Sequence, residues 1–248
     1  MIDPVNARQY FTVAKMGRTI VVGDIHGCYD ELVELLGKLS LGPDDLVVAV
    51  GDLTVKGPKS REVLDLFSND ARFSSVAGNH DLALVRHWRG ENVSLKPSQA
   101  RTFAELEAPD ERYLRYLASL PLLIDLRAHV VVHAGLRPGV PLNEQSANDL
   151  LELRTLGEDR TSRKGTPWYD VYAGPTALFG HWPAPNPRIA KHAIGLDTGC
   201  VYGGELTAYV IETGDFVSVA SAAVYDQSRE DPKVAASIRY TGGSGSVP

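Results

Sequence analysis

The sequence predicts an α/β fold in which two β-sheets pack face to face and helices cover the outside. In the first half, short β-branched runs alternate with segments of helical periodicity, a pattern typical of a mixed or parallel sheet covered by helices. In the second half, strand patterns dominate. A length of 248 residues suits one large domain with its own core.

Three strand–helix units open the chain. Strands are predicted over residues 18–22, 46–50 and 73–76, and the second and third are followed by helices over 61–67 and 81–88. Asp30 is the predicted N-cap of the first helix, whose apolar face comes from the leucines at positions 32, 35, 36 and 39.

The rest of the chain is less regular. One or two helices are predicted within residues 101–120, and long loops with a short helix near 148–153 are predicted within 136–175. Strands are predicted over residues 122–126, 129–132, 177–179, 193–196, 206–211 and 216–219. A hairpin turn at 212–215 joins the last two strands.

We expect residues 1–248 to form a single domain. Residues 1 to about 16 show no clear period and are predicted to be an arm, and the Gly/Ser-rich stretch at about 241–248 is predicted to be a flexible tail. A net charge of −6 argues against a general nucleic-acid binder. No secretory signal or membrane-spanning run is visible, so no membrane partner is expected. Oligomeric state is left open.

Only two cysteines, Cys28 and Cys200, are present. The two could pair, but they form no disulfide framework, and a reduced, cytoplasmic setting is the simplest interpretation. We interpret both as small packing residues.

Metal-ligand side chains follow five of the predicted strands, each beside a glycine. They are Asp24, His26, Asp52, Asn79, His80, Asp81, His133 and His181. The carboxyl ends of strands line the ligand crevice of open α/β sheets, so these side chains are expected to converge. Asp24 and His26 alternate along a strand end and should project to the same side.

The combination of Asp, His and Asn suits a pair of divalent metals such as Mn²⁺, iron, Zn²⁺ or Co²⁺. Two such ions can polarise phosphoryl oxygens and stabilise in-line displacement at phosphorus. Taken singly, each residue has a simpler explanation, because Gly-Asp is usually a turn, a strand-end histidine is usually structural, and asparagine often caps or turns. Five ligand-rich strand ends in one chain make the joint explanation the stronger one.

These motifs, with Lys56-Gly57-Pro58 after the second, resemble the calcineurin-like metallophosphoesterases and their phosphoprotein-phosphatase branch over about residues 18–210. Residues 51–60 and 194–208 are similar to the diadenosine tetraphosphate hydrolase (ApaH-like) subgroup, as are Pro167-Trp168, Gly174-Pro175 and the Phe-Gly-His at 179–181. The resemblance implies the four-layer metallophosphoesterase fold, a two-sheet sandwich flanked by helices.

The resemblance also implies a role for each motif residue. Asp24 and His26 would hold the first metal, Asp52 would bridge both, and Asn79, His133 and His181 would complete the second. His80 would be the general acid, as imidazole chemistry also allows. Lys56, Asn79 and Arg154 would contact substrate phosphate, although Arg154 taken alone could be a solvated charge on a helix face.

Two positions depart from the protein-phosphatase pattern, which has Asp-Arg-Gly at residues 55–57. Lys56 offers phosphate a point charge in place of an arginine fork. Val55 replaces the carboxylate that orients the acid histidine, so another group must hold His80. We do not expect Asp81 to be the group that orients His80. Both departures favour the ApaH-like subgroup.

The implied activity is hydrolysis of diadenosine tetraphosphate and related nucleoside polyphosphates, RNA caps included, with ADP as product and two divalent cations as cofactors. Mn²⁺ is expected, with Co²⁺, Mg²⁺, Zn²⁺ and iron as alternatives. The alternative functions are a serine/threonine or tyrosine protein phosphatase, a polyphosphatase, and a non-catalytic phosphate-binding regulator.

Candidates for stacking a base are His87, Trp88 and Trp182, with Tyr169 and Tyr172 beside the cleft, although aromatics usually pack in the core.

Overall fold

The structure is a computed structural model that describes residues 8–10, 17–107 and 110–227. The predicted tail at 241–248 and most of the predicted arm at 1–16 lie outside the described residues. Within the arm, however, residues 8–10 form a strand. Among the described residues, no helix is both long and apolar enough to cross a membrane.

The strands of the described chain belong to three sheets. They are β1 (Arg8–Tyr10), β2 (Thr19–Val22), β3 (Leu46–Ala49), β4 (Phe73–Ser75), β5 (Leu123–Asp125), β6 (His129–Val132), β7 (Thr155–Leu156), β8 (Thr166–Pro167), β9 (Thr176–Phe179), β10 (Arg188–Ala190), β11 (Ala193–Gly195), β12 (Glu205–Val210) and β13 (Asp215–Ala220). One sheet has the order β1-β5-β6-β9-β11-β10, a second has the order β13-β12-β2-β3-β4, and β7 pairs with β8.

Helices cover the outer faces of the two large sheets. They are α1 (Tyr29–Leu39), α2 (Ser60–Asn69), α3 (Asn79–Trp88), α4 (Pro97–Glu105), α5 (Glu111–Ser119), α6 (Ala147–Glu152) and α7 (Trp168–Val171). Short 3-10 helices occupy Leu142–Glu144 and Cys200–Tyr202. The α/β prediction is therefore confirmed.

Both faces of the central strands are buried, which explains their continuous apolar runs. Val21 and Val48 of one sheet pack against Val131 and Leu178 of the other, which forms the core between the sheets. Ile20 and the other alternate residues face the helices. The sandwich thus has four layers, with sheets inside and helices outside.

The helix boundaries follow local chemistry. Helix α1 begins at Tyr29 with Cys28 as N-cap, so the prediction of Asp30 as N-cap is wrong, and Asp30 lies in the first turn. Helix α5 begins behind Asp110, whose side chain accepts a hydrogen bond from the Arg112 amide. Pro97 begins α4, where its missing N–H costs nothing.

Parallel pairing brings the important strand ends together. Strands β2, β3 and β4 are parallel neighbours, and so are β6, β9 and β11 in the other sheet. Their carboxyl ends therefore face one edge of the sandwich. Strand β2 ends at Val22, so Asp24 and His26 lie in the loop beyond it and not on the strand as predicted.

Candidate active site

An open cleft of about 530 Å³ lies at the carboxyl ends of these strands. Eight of the nine residues predicted for the site line it, namely Asp24, His26, Asp52, Lys56, Asn79, His80, Arg154 and His181. The ninth, His133, is fully buried behind Asn79, with its Nε2 3.0 Å from Asn79 Oδ1. The structure therefore brings all nine residues together.

Asp52 lies between two histidines. Its Oδ2 is 3.5 Å from His26 Nε2 and 3.5 Å from His133 Nε2. The Nδ1 atoms of these rings are 3.0 Å from the Thr54 carbonyl and 2.9 Å from the Val50 carbonyl, respectively. Because a carbonyl only accepts, each Nδ1 carries the proton and each Nε2 keeps its lone pair. The lone pairs of His26 Nε2 and His133 Nε2 therefore both face Asp52 Oδ2.

Two further polar atoms in the same place have no hydrogen-bond donor facing them among the described residues. His181 Nε2 is buried and has no hydrogen-bond partner among the described residues. The Asn79 carbonyl oxygen faces the lone pair of His133 Nε2. Buried acceptors without donors are unfavourable, and divalent cations would satisfy them. The residues present therefore fit a metal centre with nitrogen and oxygen ligands. We call Asp24, His26, Asp52, Asn79, His133 and His181 the cleft floor.

Two glycines allow the floor to close this tightly. A side chain at Gly78 would collide with the Asp52 carboxylate, and one at Gly180 would collide with the Asp24 carboxylate. Both positions precede a floor residue in the sequence, so the absence of Cβ is what permits the close approach.

The backbone of the floor is strained. His26, Asp52 and His181 adopt the left-handed region, with φ of 49°, 51° and 66°. This region is costly for residues other than glycine, and such strain concentrates at functional sites. The strain turns each side chain toward the cleft beyond the end of its strand.

Backbone amides hold the two carboxylates of the floor. The His181 amide donates to both oxygens of Asp24 at 3.1 Å, and the His80 amide donates to Asp52 Oδ1 at 3.0 Å. Burial, followed by the charges of Asp197 and Asp52, raises the pKa of Asp24 well above its ordinary range. Excess negative charge in a buried pocket again favours bound cations.

The floor histidines are neutral at pH 7. Burial, aided by nearby Lys56, lowers the pKa of His26 well below its ordinary value. Burial lowers the pKa of His133 to about 4, and burial with the Arg154 charge lowers the pKa of His181. Neutral imidazole is the form that binds metals.

Gln99 of α4 holds His80, the residue predicted as general acid. The Gln99 carbonyl accepts from the Lys96 amide at 2.8 Å, which turns its amide nitrogen toward His80 Nδ1 at 3.4 Å. Nδ1 therefore accepts, and the proton resides on Nε2 of a neutral ring. Burial, then the charge of Lys56, lowers the pKa of His80 well below its ordinary value.

Val55 is packed in the turn after β3, and Asp81 holds that turn by hydrogen bonds. Val55 is fully buried with φ of 75°, a strained value for a β-branched residue. The Asp81 carboxylate accepts from the amides of Leu53 and Thr54 and from the Thr54 hydroxyl. These bonds hold the Asp81 carboxylate against the turn after β3.

Lys56 projects into the cleft although only 4% of its surface is exposed. Its Nζ donates to the Tyr202 hydroxyl at 2.7 Å and lies 3.2 Å from His26 Nε2. The positive charge of the ammonium group thus lies directly beside the floor.

The cleft rim, which we define as Lys96, Glu152, Arg154 and Thr161, surrounds the floor. Arg154 is half-buried, follows α6, and its guanidinium donates to the Thr161 carbonyl at 3.1 Å. The rim carries two cations and one carboxylate.

The sequence did not predict the rim residues Lys96, Glu152 and Thr161, and it missed three residues closer to the floor. Asp197 and Tyr202 line the cleft, and Gln99 holds His80. Asp197 had a visible signal, since it follows the predicted strand at 193–196 in the same way as the other ligands. Gln99 had none, because nothing in a helical sequence identifies its distant partner.

The aromatic candidates do not line the cleft. His87 and Trp88 pack against Phe103, and Tyr169 stacks on Phe179. Trp182 lies under the Arg188 guanidinium. These rings have packing partners, as the simpler interpretation expected.

The fold and the site define a class of phosphoesterase, and the comparisons with known proteins agree. The chain belongs to the calcineurin-like phosphoesterase family, whose model matches residues 17–221. The sequence-based assignment to this class of hydrolases is confirmed. The family uses a dinuclear divalent metal centre, and Asp24, Asp52 and His133 form a group of buried candidate ligands.

Several relatives are similar over most of their length. A bis(5'-nucleosyl)-tetraphosphatase PrpE [asymmetrical] of Halalkalibacterium halodurans is 36% identical over 81% of this chain and 93% of its own. The Bacillus subtilis protein of the same name is 31% identical over 86% of this chain and 98% of its own.

Solved structures show the same similarity. A crystal structure described as that of a candidate diadenosine tetraphosphatase is 33% identical, with a TM-score of 0.75 over 87% of this chain and 98% of its own. A Saccharomyces cerevisiae serine/threonine phosphatase shares the fold at 15% identity, with a TM-score of 0.61 over 90% of this chain and 85% of its own.

Proposed function

We propose that the chain hydrolyses diadenosine tetraphosphate and related nucleoside polyphosphates in the cytoplasm. The observation that carries this is a buried floor of metal-ligand atoms flanked by Lys56, Arg154 and Lys96, an arrangement suited to a chain of several phosphates. The names of the relatives support the same substrate class. Two free thiols are consistent with a reducing compartment.

In this proposal the floor holds two divalent cations, Mn²⁺ foremost. Asp24 and His26 would hold the first, Asp52 would contribute to both, and Asn79, His133 and His181 would hold the second. When bound, such cations polarise phosphoryl oxygens and lower the pKa of water. The short distances from Asp52 to His26 and His133 support its central role.

The remaining residues act on the substrate itself. Lys56 neutralises charge that develops on the phosphoryl oxygens, Arg154 binds a substrate phosphate through its guanidinium, and Asn79 orients one phosphoryl oxygen. His80 offers its Nε2 proton to the leaving oxygen. A bound polyphosphate is strongly anionic and would raise the pKa of His80, which opposes the effects of burial and Lys56.

The products depend on which phosphoanhydride bond of the tetraphosphate is cleaved. The sequence-based expectation was ADP, which results from symmetric cleavage. The relatives are named asymmetrical, and asymmetric cleavage of diadenosine tetraphosphate yields ATP and AMP. We propose asymmetric cleavage for this chain.

The test is a turnover comparison with Mn²⁺ between diadenosine tetraphosphate, a capped RNA, inorganic polyphosphate and a phosphopeptide, with products separated by chromatography. We expect kcat/KM for the dinucleotide to exceed the others by at least about 100-fold, which corresponds to about 2.7 kcal/mol. ATP plus AMP supports the proposed bond, and two ADP overturns it while leaving the substrate intact. Faster turnover of the phosphopeptide would instead favour a protein phosphatase.

A further inference from the structure

A second cluster of ligand atoms lies outside the cleft lining. One atom each from Cys28, Glu31 and Cys200 lies within 4.8 Å of the other two. The three side chains are buried, with 0%, 3% and 2% of their surface exposed. Both cysteines are free thiols. Nothing in the proposed reaction uses this cluster.

Glu31 has a buried carboxylate in which only one of the two oxygens accepts hydrogen bonds. Its Oε1 accepts from the Tyr225 hydroxyl at 2.7 Å and from the Ala222 amide at 3.0 Å. Its Oε2 is buried and has no hydrogen-bond partner among the described residues. A buried carboxylate oxygen without a donor is costly, so a positively charged group is the missing partner.

We propose that Cys28, Cys200 and Glu31 form a third cation site, distinct from the cleft floor, that takes Zn²⁺ or a similarly thiophilic divalent metal. Two thiolates and a carboxylate are ligands that suit Zn²⁺, whereas the floor offers only nitrogen and oxygen. Each thiol gives its proton to solvent as the sulfur binds, and a water molecule takes the fourth position.

The spacing permits this with small movements. In a tetrahedral site, Zn–S bonds of about 2.3 Å and Zn–O bonds of about 2.0 Å place two ligand atoms about 3.5–3.8 Å apart. The cluster lies within 4.8 Å throughout. Changes of at most about 1 Å in these separations therefore bring the three atoms to that spacing.

The location gives the site a structural role. Cys28 directly precedes α1 and follows His26 by two residues, whereas Cys200 begins the 3-10 helix that contains Tyr202. Tyr202 in turn accepts the hydrogen bond from Lys56. A cation between the two sulfurs would join the loop after β2 to the loop after β11, and both loops supply the cleft.

Cobalt distinguishes this site from the catalytic centre, because only thiolate ligands give Co²⁺ an intense sulfur-to-metal charge-transfer absorption in the near ultraviolet. We would titrate the full-length, reduced protein with Co²⁺ and count its thiols under denaturing conditions. The charge-transfer band should reach a plateau once the floor and the thiolate site are filled, by about three equivalents of Co²⁺, and Zn²⁺ should both abolish it and protect both thiols from alkylation.

Three variants test which residues produce the charge-transfer band. Cys28→Ser should lose it, and Glu31→Gln, which keeps both thiols, should weaken the affinity for Co²⁺ by at least about tenfold. Asp52→Asn changes a floor residue and none of the three proposed ligands, so the band should stay unchanged. If Cys28→Ser does not fold, the wild-type titration and the alkylation assay still decide.

The proposal fails if protein with two free thiols shows no charge-transfer band at saturating Co²⁺. It also fails if peptide mapping of carefully reduced and then air-exposed protein finds a Cys28–Cys200 disulfide that forms equally in the presence of Zn²⁺. Either result would leave the function proposed for the cleft untouched.

Discussion

The cleft floor and the cleft rim are built from different parts of the fold. The floor follows the ends of buried strands, and five of its six side chains are at most 8% exposed. The rim comes from α6, from the segment before α4 and from the loop around Thr161, where Lys96 and Thr161 are exposed and Glu152 and Arg154 are half-buried.

This difference separates two kinds of task. A rigid floor holds its ligand atoms in one geometry, which the chemistry at phosphorus requires. Exposed loops and helix ends vary more readily and commonly carry specificity. Changes in the floor should therefore abolish turnover, whereas changes in the rim should mainly alter substrate affinity.

The largest effect is expected for Asp52→Asn. The change removes the charge that lies 3.5 Å from both His26 and His133, so kcat should fall by about 10³-fold with loss of bound metal. Steady-state kinetics and metal analysis measure this. Asp215→Asn, an exposed carboxylate on β13, is the matched control. A kcat within tenfold of wild type would place the centre elsewhere.

A smaller effect, visible in the pH profile, is expected for Gln99→Glu. A carboxylate beside His80 Nδ1 favours the imidazolium, so the pKa of His80 should rise. Because the acid form of His80 is the active one, kcat/KM should persist to higher pH. A profile identical to wild type would show that His80 donates no proton in the rate-limiting step.

Arg154→Lys tests the rim. Lysine keeps the charge but loses the guanidinium fork, so KM for diadenosine tetraphosphate should rise about tenfold while kcat changes little. Arg115→Lys, on the exposed face of α5, is the matched control and should change neither constant. If Arg154→Lys lowers kcat as strongly as a floor variant does, the division between floor and rim is wrong.

The smallest effect on activity is expected for Asp45→Asn, outside both regions. The Arg18 guanidinium, 2.6 Å away, helps to lower the pKa of Asp45 from 3.8 to about 2. A carboxyl with a lowered pKa stabilises the fold above about pH 4, and this stability is lost as the pH falls toward 2.

Denaturant unfolding at several pH values checks this prediction. Asp45→Asn should lower the free energy of unfolding at pH 7 by roughly 1–2 kcal/mol, allowing for the partly exposed arginine. The difference from wild type should shrink toward pH 2, and kcat should stay unchanged. A difference that is the same at every pH would exclude the ion pair as its cause.

Most of the main elements could be predicted from local pattern. The strand at His129–Val132 has the predicted bounds, and the other predicted strands and helices differ from the structure by a few residues. The hairpin between Glu205–Val210 and Asp215–Ala220 is confirmed. Apolar periodicity and turn residues are local properties, so one sequence carries them.

The strands that were not predicted depend on the strands with which they pair, distant for β1 and close in sequence for β7, β8 and β10. Strand β1 exists by pairing with β5, β10 by pairing with β11, and β7 by pairing with β8. Each is only two or three residues long and has little periodicity of its own. Cys28 caps α1 without a side-chain hydrogen bond, a boundary set by the loop before it and not by cap chemistry.

The sequence by itself determined which chemistry is present: the ligand types, their place after five strands, and hence the class of phosphoesterase. These follow from residue identity and from the rule that parallel strands end at one edge. Only the tertiary structure decided how those groups are supported. Gln99 reaches His80, Tyr202 reaches Lys56, and Glu31 lies within 4.8 Å of two cysteines that are 172 positions apart in the chain. Such contacts arise from the packing of distant segments, which no local pattern encodes.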